Sequence, residues 1–147
     1  MAKVKIVYGS GGGNTELVCC KVSEILEKKH KVEMLKSKIT DPLSIKGFDL
    51  LIFASPTYGH GQLEQYFGKF IKKAAGMNLK GKKTAVIGLG DDKYDPDYFI
   101  ESAKLLTNFF KEKEANIIIS PLKVGRCAVP KLKGKVEKWA KELSKLI

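Results

Sequence analysis

The chain has 147 residues, 44% hydrophobic and 29% charged, which is the balance of a globular domain with one sizeable core and not of a disordered or fibrous chain. No apolar run approaches the roughly 20 residues of a membrane-crossing helix, and MAKVKIVYGS has no signal-type apolar region before a small-residue cleavage site, which points to the cytoplasm. The net charge of +11 is almost all lysine, with Arg126 the sole arginine and the charges spread along the chain; nucleic-acid readers favour arginine forks in clusters with aromatics, so a solvated surface or a docking face for an acidic partner fits better.

In chain order, VKIVY (4–8) reads as a first strand. Residues 15–29 follow with Val18, Val22, Ile25 and Leu26 at helical spacing. KVEML (31–35) is a second strand, and SKITDPLSIKGF (37–48) is irregular or at most a short helix. DLLIFAS (49–55) is a third strand, leading to a helix over 63–75 marked by Leu63, Phe67, Phe70 and Ile71. TAVIGL (84–89) precedes a helix over 97–113 carrying Phe99, Ala103, Leu106 and Phe110. NIIISPL (116–122) is a fifth strand, and a last helix over 132–147 carries Leu132, Val136, Trp139, Ala140 and Leu143. Strands alternating with helices of this length imply crossover units and a parallel sheet covered on both faces. With no linker or repeat to divide it, the chain reads as one three-layer α/β/α domain over 1–147.

Such sheets bind ligands beyond the carboxyl ends of their strands, where strand order reverses. Three loops qualify: 9–14, 55–62 and 90–96. The first lies within YGSGGGNTE, between a strand and a helix start, where backbone N–H groups and the helix dipole favour an anion. The dinucleotide fingerprint G-x-G-x-x-G fails, because the third glycine position is Asn14, and no Gly-Lys-Ser/Thr of a P-loop is present. Hydroxyls at Ser10 and Thr15 and the amide of Asn14 remain, without a lysine. The loop therefore suits a phosphate whose charge no cation compensates, with Asn14 or Thr15 also expected to cap the helix.

This segment resembles the phosphate loop of flavodoxins, S/T-x-T-G-N-T, with Ser10, Gly13, Asn14 and Thr15 matching. Gly11 and Gly12 depart from the pattern, Gly12 standing where a threonine is common. The resemblance spans essentially the whole chain and implies a five-stranded sheet of order 2-1-3-4-5 that binds flavin mononucleotide (FMN), with the phosphate held by Ser10 to Thr15. By the same likeness ASPTYGHGQLE (54–64) supplies one wall of the pocket through Pro56, Thr57, Tyr58, Gly59 and His60. Thr57 adds a hydroxyl to the phosphate, and Tyr58 packs on the inner side of the ring. The Gly59 peptide can turn its carbonyl towards the flavin N5–H that exists after one-electron reduction, a rotation glycine tolerates. GLGDDKYDPDYF (88–99) resembles G-x-G-D-x-x-Y, which places Gly90, Asp91, Tyr94 and Phe99 at the cofactor, Tyr94 stacked on the outer face.

Other candidates have structural readings. Asp95, Pro96 and Asp97 suit a helix start; Tyr66 and Tyr98 are expected to pack against the sheet, Trp139 to lie in the core and His30 to be exposed in a turn. Cys19 and Cys20 point to different helix faces and, with Cys127, form neither a disulfide framework nor a zinc site. The densest basic block, Lys123 to Lys145, sets eight basic residues against Glu137 and Glu142. No nucleophile–base set or metal cluster accompanies the pocket. The resemblance therefore implies a monomeric electron carrier passing single electrons between redox proteins, docking through an acidic partner surface. The alternatives are an activator of a partner enzyme such as ribonucleotide reductase, and a small FMN-dependent quinone reductase, which would consume NAD(P)H unaided. If the loop alignment holds, Gly12→Thr tightens FMN binding, measured by fluorescence titration of the apoprotein.

Overall fold

A computed structural model describes residues 1–9, 13–58, 62–90, 100–125 and 129–147. Its elements in chain order are β1 (Lys3–Tyr8), α1 (Asn14–Leu26), β2 (Lys31–Lys36), β3 (Leu50–Tyr58), β4 (Gln62–Leu63), α2 (Gln65–Ala74), β5 (Lys83–Gly90), α3 (Glu101–Glu112), β6 (Asn116–Ile117), β7 (Leu122–Gly125) and α4 (Glu137–Leu146). The main path through the sheet is β2-β1-β3-β5-β6, parallel throughout, with β7 continuing the last position beside β5. Counting β6 and β7 as one interrupted strand, this is the expected order 2-1-3-4-5.

The central strands are apolar at consecutive positions because each alternate residue faces a different layer. Val4, Ile6, Leu50, Ile52, Ala85 and Ile87 pack with Val18, Val22 and Leu26 of α1 and with Trp139 and Leu143 of α4. Val7, Leu51, Phe53 and Val86 pack with Phe67 and Phe70 of α2 and Leu106 and Phe110 of α3. Phe53 centres this second layer, with ring centroids 4.7 Å from Phe110, 5.4 Å from Phe67 and 5.5 Å from Phe70, the last two edge to face. Trp139 lies in the core as expected, and Cys19 is buried while Cys20 is exposed.

Several expectations are corrected. The third strand runs to Tyr58, three residues beyond 55, because Thr57 and Tyr58 pair antiparallel with Leu63 and Gln62. The strand expected over 116–122 is split: between Thr84 and Ile87 the partner strand advances from Ile117 to Leu122, two residues further than β5 does. Pro121 has no N–H for the ladder, and the Ser120 carbonyl is drawn away to accept the Trp139 indole N–H at 2.9 Å. Such an outward bulge is tolerated on an edge strand. The final helix starts with a wide π turn over Leu132–Val136 before α4. His30, expected to be exposed, is half-buried: its Nδ1 accepts the Ala2 N–H at 3.2 Å and its Nε2 lies 3.2 Å from the Ser144 carbonyl oxygen, which joins β1 to α4. Tyr66 does not pack against the sheet but is 37% exposed on α2. The 37–48 connection holds only a 3-10 turn, Pro42–Ser44, with the Asp41 carboxylate accepting the Leu43 N–H at 3.0 Å. Cys127 and Tyr98 lie outside the described residues, as does the start of the helix expected over 97–113; the described helix begins at Glu101. Among the described residues no helix is long and apolar enough to cross a membrane.

The contact of α3 with the sheet is the tightest junction. A Cβ on Gly88 would sit 2.7 Å from the Ala103 Cβ and 2.8 Å from the Ala103 backbone nitrogen. Because backbone cannot swing aside, Gly88→Ala is expected to destabilise the protein by about 1–3 kcal/mol, read from the midpoint of urea unfolding.

Candidate functional site

All the long strands run parallel, so the carboxyl ends of β1, β3 and β5 lie at one end of the sheet. The turn after β1 stays attached to the sheet at its start, where the Gly9 N–H donates to the Ala54 carbonyl at 3.0 Å. Gly9 is small for a reason unrelated to a ligand. A Cβ there would lie 2.3 Å from Glu64 Oε1 and 3.2 Å from the Phe67 Cβ. Glu64 is buried at 5% exposure and closes the start of α2, its Oε2 accepting the Tyr66 N–H at 2.9 Å and its Oε1 the Phe67 N–H at 3.0 Å. Its own N–H donates to Ser55 Oγ at 3.1 Å. No motif marks this carboxylate in the sequence, because the usual N-cap residues are Ser, Thr, Asp and Asn.

The start of α1 is built the opposite way. Its N-cap is Gly13, in the left-handed region at φ 89°, with its carbonyl accepting the Leu17 N–H at 3.0 Å. That conformation favours glycine, and it corrects the expectation that Asn14 or Thr15 caps the helix: Asn14 and Thr15 are its first two residues. Gly13 has no side chain to offer, and no side-chain cap comes from the described residues. Asn14 is exposed and Thr15 is buried. The carboxylate of the first turn, Glu16, is held by the Tyr8 hydroxyl, which donates to its Oε1 at 3.0 Å. Burial first and this hydrogen bond second push the Tyr8 phenol up to about 12. Burial, followed by the Glu16 charge, also raises the Cys20 thiol.

In the second loop Pro56 and Thr57 are half-buried and Tyr58 is 42% exposed. Thr57 Oγ1 accepts the Ser102 N–H at 3.0 Å, and Ser102 Oγ donates to the Ser55 carbonyl at 2.8 Å. The Thr57 oxygen is thereby fixed against the start of α3 while its hydrogen stays free for a further acceptor. Ser102 is a positioning residue that no sequence motif marks, because the contact joins elements 45 residues apart. In the third loop Gly90 ends β5 opposite Gly125. Ser10, Gly11, Gly12, Gly59, His60, Asp91, Tyr94 and Phe99 lie outside the described residues. Between the ends of β1, β2 and β3 opens a cleft of about 510 Å³ whose walls include Gly9, Glu16, Tyr58 and Tyr66. Among the described residues no cluster of His, Cys, Asp and Glu could hold a metal ion.

The parallel sheet order and the helices packed on both faces define a doubly wound α/β protein, a class that takes its ligands at the strand carboxyl ends. Comparison with known proteins agrees. The sequence model of the flavodoxin family matches residues 6–144. The flavodoxin of Maridesulfovibrio salexigens is 32% identical over 130 residues, covering 84% of this chain and 86% of that one. Among solved structures, oxidised flavodoxin 2 of Bacillus cereus superposes with a TM-score of 0.91 at 26% identity, covering 99% of this chain and 100% of its own. A Streptococcus pneumoniae flavodoxin does so with a TM-score of 0.89 at 29% identity, again covering 99% and 100%. The chain belongs to the flavodoxin family. It is an electron-transfer protein and not an enzyme.

The Tyr8–Glu16 pair gives a pH signature. Because the folded pKa of Tyr8 lies above the ordinary value of 10.0, the folded state holds this proton more tightly. The resulting stability is present below pH 10 and is lost as pH rises towards about 12. Tyr8→Phe should therefore flatten the alkaline fall in stability by up to about 2 kcal/mol, and Glu16→Gln should move the phenolate absorbance of Tyr8 to lower pH.

Proposed function

We propose that the three loops hold FMN and that the chain acts as a single flavodoxin-like domain over 1–147, monomeric and cytoplasmic, passing single electrons between redox proteins. The observation that carries the FMN assignment is the contrast between two neighbouring helices. The start of α2 is closed by the buried carboxylate of Glu64, whereas α1 starts at a glycine, and no carboxylate among the described residues caps it. A row of first-turn N–H groups at a strand-to-helix turn, with no carboxylate cap, is suited to a phosphate. Ser10, Gly11, Gly12, Gly13, Asn14 and Thr15 would surround that phosphate, and the Thr57 hydrogen would add a donor.

When bound, FMN accepts and donates electrons one at a time; the chain holds it, orients it and sets how easily it is charged. Tyr58, at the exposed end of β3, would wall the ring on its inner side and Tyr94 on its outer side, with Pro56, Gly90 and Phe99 completing the pocket. Backbone groups near Asp91 would meet the pyrimidine edge, and the Gly59 carbonyl, beside His60, the N5 edge. No cation in the loop neutralises the phosphate, yet the chain as a whole is at +11. By the family likeness Asp91, Asp92, Asp95 and Asp97 would stand near the ring, with Lys93 and His60 among them; those two and the positive field of the chain should stabilise the fully reduced anion more than an acidic surface would.

The same field supports docking through an acidic partner surface. The test is stepwise anaerobic reduction of the FMN-loaded protein followed by absorption. Flavin bands with a one-electron intermediate are expected, and so is a second one-electron potential less negative than that of an acidic family member measured alongside. A colourless protein whose addition leaves FMN fluorescence unquenched would remove the assignment.

A further inference from the structure

The excess positive charge is not evenly free. On the α1–α4 side two lysines are matched: Lys21 lies 3.7 Å from both Glu24 and Glu137, and Lys141 lies 2.8 Å from Glu137. The Lys141 hydrogen bond, then its charge, holds the Glu137 carboxyl below its usual range. At the sheet edge Lys5 meets Glu33 at 3.5 Å. Beside the cleft the arrangement differs. Lys38 Nζ stands 5.0 Å and Lys69 Nζ 5.8 Å from the centroid of the Tyr66 ring. Neither lysine has a carboxylate partner among the described residues.

Two glutamates line the same cleft, but both are engaged inward. Glu64 accepts the first N–H groups of α2, and Glu16 accepts the Tyr8 hydroxyl. Lys36, at the end of β2, is exposed on the same rim. The result is an aromatic ring fixed between two cations with no internal anion to satisfy them, sharing a cleft with Tyr58 at the proposed flavin wall.

From this placement we propose that Lys38, Tyr66 and Lys69 form the docking surface for an acidic redox-partner protein; the assignment rests on the FMN electron-carrier reading and locates its contact. Exposed tyrosine flanked by cations is the composition of an interface centre, and cation–π contact restrains both lysines before the partner arrives. Carboxylates on the partner complete the charge pairs that the chain leaves open, and the long-range field steers the encounter. Lysine point charges carry no fork for phosphate or guanine, which favours a protein partner over a nucleic acid.

The test uses one haem protein in two charge states. FMN-loaded protein is reduced anaerobically and mixed with ferric cytochrome c, either native and basic or succinylated and acidic. One electron passes to each ferric haem and leaves it ferrous, followed by haem absorbance. At low ionic strength Lys38→Glu/Lys69→Glu should slow reduction of the acidic form about tenfold and speed that of the basic form. The control Lys28→Glu/Lys145→Glu removes the same charge at the far ends of α1 and α4 and should change either rate less than twofold. Lys38→Gln/Lys69→Gln should give an intermediate effect with unchanged FMN affinity. Equal effects of the two charge-reversal pairs would overturn the proposal, as would lysine-dependent binding of a single-stranded oligonucleotide at 0.15 M salt with cytochrome rates unaltered. Failure of the flavin reading is separately visible, since the parent protein would then take up no FMN.

Discussion

A parallel sheet covered on both faces has no free surface except its ends. The strands β1, β3 and β5 turn alternate residues to opposite layers: Ile6, Ile52 and Ile87 are buried against α1 and α4, and Val7, Phe53 and Val86 against α2 and α3. No ligand can enter such layers without displacing close-packed side chains. Parallel pairing gathers the carboxyl end of every long strand at one edge, so whatever the protein binds must be held by the segments that leave it. The chemistry of the site is then decided by how each strand-to-helix turn treats the first turn of its helix.

The two helices that follow β1 and β3 are treated oppositely, and they are coupled. Glu64 satisfies the N–H groups of α2 and occupies the space where a side chain on residue 9 would stand. Gly9 therefore lets α2 be closed directly beside the turn that leaves α1 open. Ser102 performs a similar service on the other side, where it fixes the Thr57 oxygen and ties the end of β3 to α3. Gly88 permits that approach by admitting Ala103 to the sheet. Two glycines and two buried polar residues thus set how the carboxyl ends of β1, β3 and β5 sit against α2 and α3.

Charge follows the same division. Where α1 and α4 meet, lysines find Glu24 and Glu137, and the net field of that face is partly cancelled. Beside the cleft the carboxylates are spent on helix capping and on the Tyr8 hydroxyl, which leaves Lys38 and Lys69 to share a tyrosine ring. A count of residues along the chain cannot separate these two situations, because paired and unpaired lysines contribute equally to a total of +11.

The layer order and the element types were legible because the signals were local: apolar strand runs, helical spacing such as Phe67, Phe70 and Ile71, and a glycine-rich turn after the first strand. The expectation that a ligand sits at the strand carboxyl ends rests on the parallel topology alone. The three-residue extension of β3 was not legible, since it depends on antiparallel pairing with Leu63 and Gln62. Nor was the split of the last strand, which Pro121 permits but which the Trp139 indole completes from another element. The sequence by itself determined that a glycine-rich segment joins the first strand of a parallel sheet to a helix, because strand, glycine and helix signals adjoin in the chain. Only the tertiary structure decided that Gly9 answers to Glu64, that Ser102 fixes the Thr57 oxygen, and that His30 joins the N-terminal segment to α4, because each depends on groups that folding brings together from separate segments.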